Sequence, residues 1–269
     1  MTCVDDSHTV FITDRLAFQI SGNRRGFEED RMVTIHARPE SLEIDPSGTA
    51  LIVVDMQNDF GAEGGMFDRA GIPISGIQAA VAPTVRALAA ARRAAIPIVY
   101  LKMQFEPDLS DAGGAEAPNL IVHRRLGAGE PVQAPDGRDT RILIKDTWNT
   151  DILPELAPQD GDIVLSKHRF SGFFETDLDA TLKELGVTSL IFTGCTTSIC
   201  VESTLRDAFY RDYRCLLLED CTAEPIGSDL PRTNHDASVR VIETLFGCVS
   251  HCAAFEAALR LPAPTAATA

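Results

Sequence analysis

The chain has 269 residues, of which 45% are hydrophobic and 23% charged, and its formal net charge is −15. That length and apolar share suffice for one sizeable core of the α/β kind. The acidity argues against a basic nucleic-acid-binding face and against attraction to an anionic membrane surface.

Residues 1–31 read as a separate amino-terminal extension or arm, made of the alternating apolar segment "VFITDRLAFQI" and the charged, linker-like "SGNRRGFEEDR". Residues 32–269 read as a single domain. "ALIVVD" (50–55) is a near-continuous apolar run rich in β-branched residues, the pattern of a strand buried on both faces. Residues 75–95 have helical spacing and many helix formers. "IPIVYLK" (96–102) is a second strand, and residues 106–140, rich in Gly, Pro and Asp, read as a long surface excursion. "GDIVLSK" (161–167) is a third strand, followed by the helical "TDLDATLKELG". "SLIFTG" (189–194) is a fourth strand, leading into a helix from Ser198, and "RCLLLED" (214–220) is a fifth. A last helix is expected over 232–246. Alternation of this kind predicts a three-layer α/β/α domain with a mostly parallel sheet of about six strands.

Seven cysteines, at positions 3, 195, 200, 215, 221, 248 and 252, are irregularly spaced. With the charged first thirty residues, they suggest a reduced, cytoplasmic chain. Cys248 and Cys252 lack a second Cys/His pair at zinc spacing. There is no G-x-S-x-G elbow and no H-E-x-x-H, and "GAG" at 127–129 does not open a helix after a strand.

Ligands of such sheets gather at the carboxyl ends of the strands. Asp55, Lys167 and Cys200 all fall there: a base, a cation and a thiol on one rim. Cys195 directly follows the fourth strand, whereas Cys200 sits in the first turn of the next helix. Unpaired N–H groups there should favour thiolate and could hold an oxyanion, so Cys200 is the expected nucleophile. No histidine has a motif that makes it a base; His168 stands out only as the neighbour of Lys167.

"TALIVVDMQNDF", "LSKHRFSGFFETDLDATL" and "IFTGCTTSICVESTLRDAF" resemble, in order, the three signature segments of the isochorismatase-like cysteine hydrolases. The resemblance runs from about Ala37 to about Leu259, and "SGFF" with "CVESTLRDAF" is most similar to the branch that hydrolyses ureidoacrylate. It implies a catalytic triad of Asp55, Lys167 and Cys200, and an oxyanion hole from the N–H groups of Thr196 and Cys200. It also implies a cis peptide near Cys195–Thr196 and a substrate pocket built from Asn58, Phe60, Phe105, Asn119, Phe170 and Phe174. The activity implied is hydrolysis of a C–N bond in a small ureide or amide through a thioester on Cys200. No metal or cofactor is implied, since "LKMQFEPDL" lacks the histidine of the metal-binding subgroup, and a homo-oligomer, dimer or tetramer, is. Phe105, Phe170 and Ser198 depart from that branch, which has Trp, Tyr and Asn there, so a less polar substrate is expected. Other amides (biuret-like ureides, maleamate, nicotinamide) and a non-catalytic interaction protein of the same fold stand as alternatives.

Overall fold

A computed structural model of the chain describes residues 32–260. The expected arm, residues 1–31, lies outside the described residues. A short antiparallel hairpin, β1 (Val33–Ile35) and β2 (Leu42–Ile44), comes first. The sheet that follows has six strands, all parallel: β3 (Thr49–Val54), β4 (Ile98–Met103), β7 (Ile163–Lys167), β8 (Ser189–Cys195), β9 (Arg214–Ala223) and β10 (Cys248–Ser250). Their spatial order is β10-β9-β8-β3-β4-β7. β5 (Pro131–Gln133) and β6 (Asp139–Arg141) form a separate hairpin.

Why β3 is central follows from its sequence. All six residues are buried, and successive side chains go to opposite cores. Leu51 and Val53 join one core with α3 (Ser75–Arg93), through Ala80, Ala87 and Ala91, and with α8 (Cys252–Ala258), through Phe255. Ala50, Ile52 and Val54 join the other with α5 (Leu178–Glu184) and α6 (Glu202–Phe209), through Leu182 and Leu205. Each fully buried Leu or Ile contributes roughly 1.5–3 kcal/mol of transfer free energy, so β3 is anchored from both sides. The resulting architecture is the three-layer one anticipated.

Two expectations need correction. The excursion over 106–140 is not all loop: it contains α4 (Pro118–Arg124) and the β5–β6 hairpin, and it buries Leu120 and His123. The helix expected over 232–246 is α7 (Asn234–Val241), capped by Thr233 and Asp236, and then becomes a π-helical turn over Ile242–Phe246. β10, at only three residues, is too short for a periodic signal. Two very short helices, α1 (Asn58–Gly61) and α2 (Met66–Arg69), follow β3. No described helix is long and apolar enough to cross a membrane.

Candidate active site

Strand register sets the site. β3 runs beside β4 and β4 beside β7, with Met103 opposite Lys167. Asp55 is the first residue beyond β3, and its N–H donates to Leu101 O at 2.9 Å while its φ is 51°. These constraints aim the carboxylate across the strand ends. Its Oδ1 accepts the Met103 N–H at 2.9 Å, and its Oδ2 lies 2.7 Å from Lys167 Nζ. Both side chains are fully buried. The Lys167 ammonium also donates to Arg169 O at 3.2 Å. The Asp55–Lys167 contact has ion-pair distance without the angle of a directed hydrogen bond, so Oδ2 retains open lone-pair capacity.

Cys200 is the third candidate. Its buried thiol lies close enough to Asp55 and Lys167 for both to bear on its protonation. It lies in a π-helical turn, Thr197–Val201, that leads into α6. The peptide between Cys195 and Thr196 is cis, as the resemblance implied. Gly194 precedes it at φ 114°, and a Cβ there would lie 2.0 Å from Val54 O, so only glycine lets β8 approach β3 so closely. In the turn, Ser198 N–H donates to Glu224 at 3.0 Å, and the Ile199 and Val201 N–H groups both donate to Thr196 O at 3.1 Å. The expected oxyanion donors, Thr196 and Cys200, are not among these engaged groups.

The electrostatics correct one expectation. Position at a helix start was expected to favour thiolate, but burial pushes the Cys200 thiol well above its ordinary value, with Lys167 pulling the other way. Burial likewise raises Asp55 against the pull of Lys167. Burial alone would lower Lys167, but Asp55 and then Cys200 override it and hold the ammonium protonated. The resting site is therefore thiol beside a carboxylate made more basic than usual. That arrangement suits proton transfer during attack rather than a standing thiolate.

Cys195 differs from Cys200 in its partner. Its Sγ donates to the backbone carbonyl of Asp55 at 3.1 Å, and burial keeps its thiol protonated. His168 lies 3.4 Å from Glu175, edge-on to the ring of Phe174.

The six pocket candidates separate into groups. Asn58 donates to Trp148 O at 2.7 Å and borders a cleft of about 840 Å³ beside α3, whose lining includes Gln78, Trp148 and Leu153. Phe60 packs edge-on against Phe67 in the core, ring centroids 5.1 Å apart. No hydrogen bond or ring contact joins either residue to Asp55, Lys167 or Cys200. Phe105 is fully buried. Asn119 donates to the carbonyls of Ala112 and His168 at 3.0 and 3.2 Å, which ties α4 to the segment after Lys167. Phe170 and Phe174 are 37% and 44% exposed on that same segment.

Sequence reasoning passed over three polar residues here. Gln57 accepts the Met103 N–H at 2.8 Å and donates to Met103 O and Thr150 O, which fixes the end of β4; its signal was a buried amide in "DMQN". Glu224 accepts from the backbone and hydroxyl of Ser198 and from Ile226 N–H, holding the turn that carries Cys200. His235 meets Thr197 Oγ1 at 2.9 Å. Nothing local in the sequence marks these last two, because their partners are distant along the chain. Among the described residues no group of three or more His, Cys, Asp and Glu is arranged to hold a metal ion.

Comparisons with known proteins bear on this geometry. The model of the isochorismatase domain family matches residues 49–253. The chain is 43% identical over 230 residues to the ureidoacrylate amidohydrolase RutB of Methylobacterium radiotolerans, covering 86% of each chain. It is 39% identical over 251 residues to the protein of that name in Rhizobium rhizogenes, covering 93% of this chain and 99% of the relative. Among solved structures it is similar to a cysteine hydrolase from Pseudomonas syringae (TM-score 0.67, 28% identity, 80% of this chain and 94% of the other). It is similar also to N-carbamoylsarcosine amidase from Thermoplasma acidophilum (TM-score 0.55, 25% identity, 76% and 96%).

Proposed function

Since this chain belongs to the isochorismatase family, we propose that it is a cysteine amidohydrolase that cleaves a C–N bond of a small ureide, with Asp55, Lys167 and Cys200 as its catalytic residues. The observation that carries the assignment is the buried Asp55–Lys167 pair at 2.7 Å with the buried Cys200 thiol beside it. The thiol passes its proton to Asp55 as sulfur attacks the ureide carbonyl. Lys167 stays protonated, holds the carboxylate in place and offsets the negative charge that builds on sulfur and oxygen. The N–H groups of Thr196 and Cys200 receive the oxyanion. Asp55 then returns its proton to the departing nitrogen, and the C–N bond breaks, leaving a carbamoyl thioester. Water attacks the thioester with Asp55 again as base and regenerates the thiol. The carbamate released decays to ammonia and carbon dioxide.

Ureidoacrylate is the first substrate of choice, from the relatives' activity. Phe170 and Phe174, exposed on the segment after Lys167, support an apolar wall for the substrate body. The working unit is a homo-oligomer, dimer or tetramer, in the cytoplasm, and it acts without a metal. The test is kcat/KM for ammonia release from ureidoacrylate against an alkyl-substituted urea, with and without a chelator. We expect turnover of both, unchanged by chelation and higher on the alkylurea. No ammonia from any ureide or primary amide would overturn the assignment, and loss on chelation would overturn the metal-free step.

A further inference from the structure

Helix α4 places His123 within electrostatic reach of Lys167, although nothing in its local sequence marks it. The imidazole is held between two phenylalanine rings, Phe105 edge-on at 5.2 Å and Phe170 tilted at 5.4 Å. Phe105 follows Met103 by two residues and Phe170 follows Lys167 by three, so the ring sits between the chain segments that leave β4 and β7 at the triad. Asn119 fastens the same helix to His168 O.

The tautomer follows from one contact. Nδ1 lies 2.7 Å from the carbonyl oxygen of Asn119, which can only accept, so Nδ1 carries the hydrogen. In the neutral ring, Nε2 is then an acceptor; no hydrogen bond among the described residues engages it, and it is not one of their buried unpaired atoms, so it is open to water or to a substrate. Burial disfavours protonation of the ring, and the charges of Lys167 and Arg169 add to that. Lys167 and Arg169, whose charges reach the ring, are cations that only donate, which suits oxygens of a substrate. A neutral acceptor between two apolar rings suits the opposite partner, an N–H. A donor from the substrate would take the place of water at that acceptor.

We infer that His123 is a specificity-determining residue whose Nε2 accepts a hydrogen bond from an N–H of the substrate's ureide or amide group. This deepens the proposed function and rests on it. An N–H is what ureides and primary amides have and simple carboxylic esters lack, so the residue selects them over such esters at the binding step.

The experiment compares ureidoacrylate with 4-nitrophenyl acetate, an ester with no N–H, after subtracting the Cys200→Ala rate. His123→Phe keeps an aromatic ring between Phe105 and Phe170 but removes the acceptor. It should lower kcat/KM on ureidoacrylate about 10- to 100-fold, chiefly through KM, and leave the ester within about 3-fold. His123→Gln, whose amide oxygen can accept, should recover most of the ureide activity. Equal losses on both substrates, or full ureide activity in His123→Phe, would overturn the inference while leaving the amidohydrolase assignment intact. Ester turnover by the wild type without ammonia from any ureide or amide would instead overturn the assignment and the inference with it. If His123→Phe does not fold, the smaller His123→Leu replaces it under the same criteria.

Discussion

Replacing Lys167 with methionine isolates the cation while keeping an aliphatic stem of similar size. At 2.7 Å and an effective dielectric of about 20, the Asp55–Lys167 attraction is about 6 kcal/mol before the cost of removing both charges from water. That cost is comparable, so the intact pair adds little net stability. Breaking it is another matter, because Asp55 is left buried and unpaired, and a loss of about 3–5 kcal/mol follows. Asp55 limits this loss by binding a proton, since burial already raises its carboxyl and Lys167 is what opposes the rise. A protonated Asp55 cannot take the Cys200 proton, so ammonia release should fall by about three orders of magnitude. The double variant Asp55→Asn/Lys167→Met has no charge to bury. It should regain at least half of the lost stability and none of the activity. Urea unfolding, read as midpoint at constant m, measures the first effect and ammonia release the second. A single variant as stable as the wild type, or a double variant no more stable than the single one, would refute the buried-pair argument. A Lys167→Met enzyme with near-normal turnover would refute the catalytic assignment.

Cys200→Ala should abolish ammonia release, whereas Cys195→Ala should keep most of it and lose about 1 kcal/mol of stability with the bond to Asp55 O; equal loss of turnover in both would mean that the two thiols act together. Burial pushes the Asp59 carboxyl up to about 7, against hydrogen bonds from Asn149, Leu143 and Met66. A carboxyl raised in the folded state favours the neutral form, so its contribution is complete below the unfolded value of about 4 and is lost as pH rises through about 7. The wild type should therefore lose stability across that window by up to about 1.4 kcal/mol per pH unit, and Asp59→Asn should flatten the slope. Parallel slopes in urea midpoints from pH 4 to 8 would show that Asp59 does not titrate there.

The proposed triad was legible because each of its three residues is punctuation at the end of an apolar run. "ALIVV" cannot continue through a charged Asp55, "IVLS" stops at Lys167, and the thiol of Cys200 follows Gly194. The π-helical turns over Thr197–Val201 and Ile242–Phe246 were not legible. Their side-chain pattern resembles that of an α-helix, and the difference lies in which carbonyl each N–H meets. The protonation of Cys200 was misread for a related reason. Helix position is local and visible, whereas burial by Asp55, Lys167 and the surrounding strands is a tertiary property, and here it dominates. His123 and Glu224 were missed because their neighbours, Phe170 and Ser198, are far away along the chain.

The pairing of Met103 with Lys167 makes the reaction sensitive to alignment within the sheet. β7 alternates strictly, with Ile163, Leu165 and Lys167 more buried than Val164 and Ser166 between them. A single-codon insertion near its start would slide the strand by one position, turn the ammonium to the outer side and present Ser166 to Asp55. Such a chain could keep its hydrogen-bonded ladder and much of its secondary structure, so far-ultraviolet circular dichroism would barely distinguish it. Turnover would, which makes colony-level selection for ammonia release a genetic assay of strand alignment.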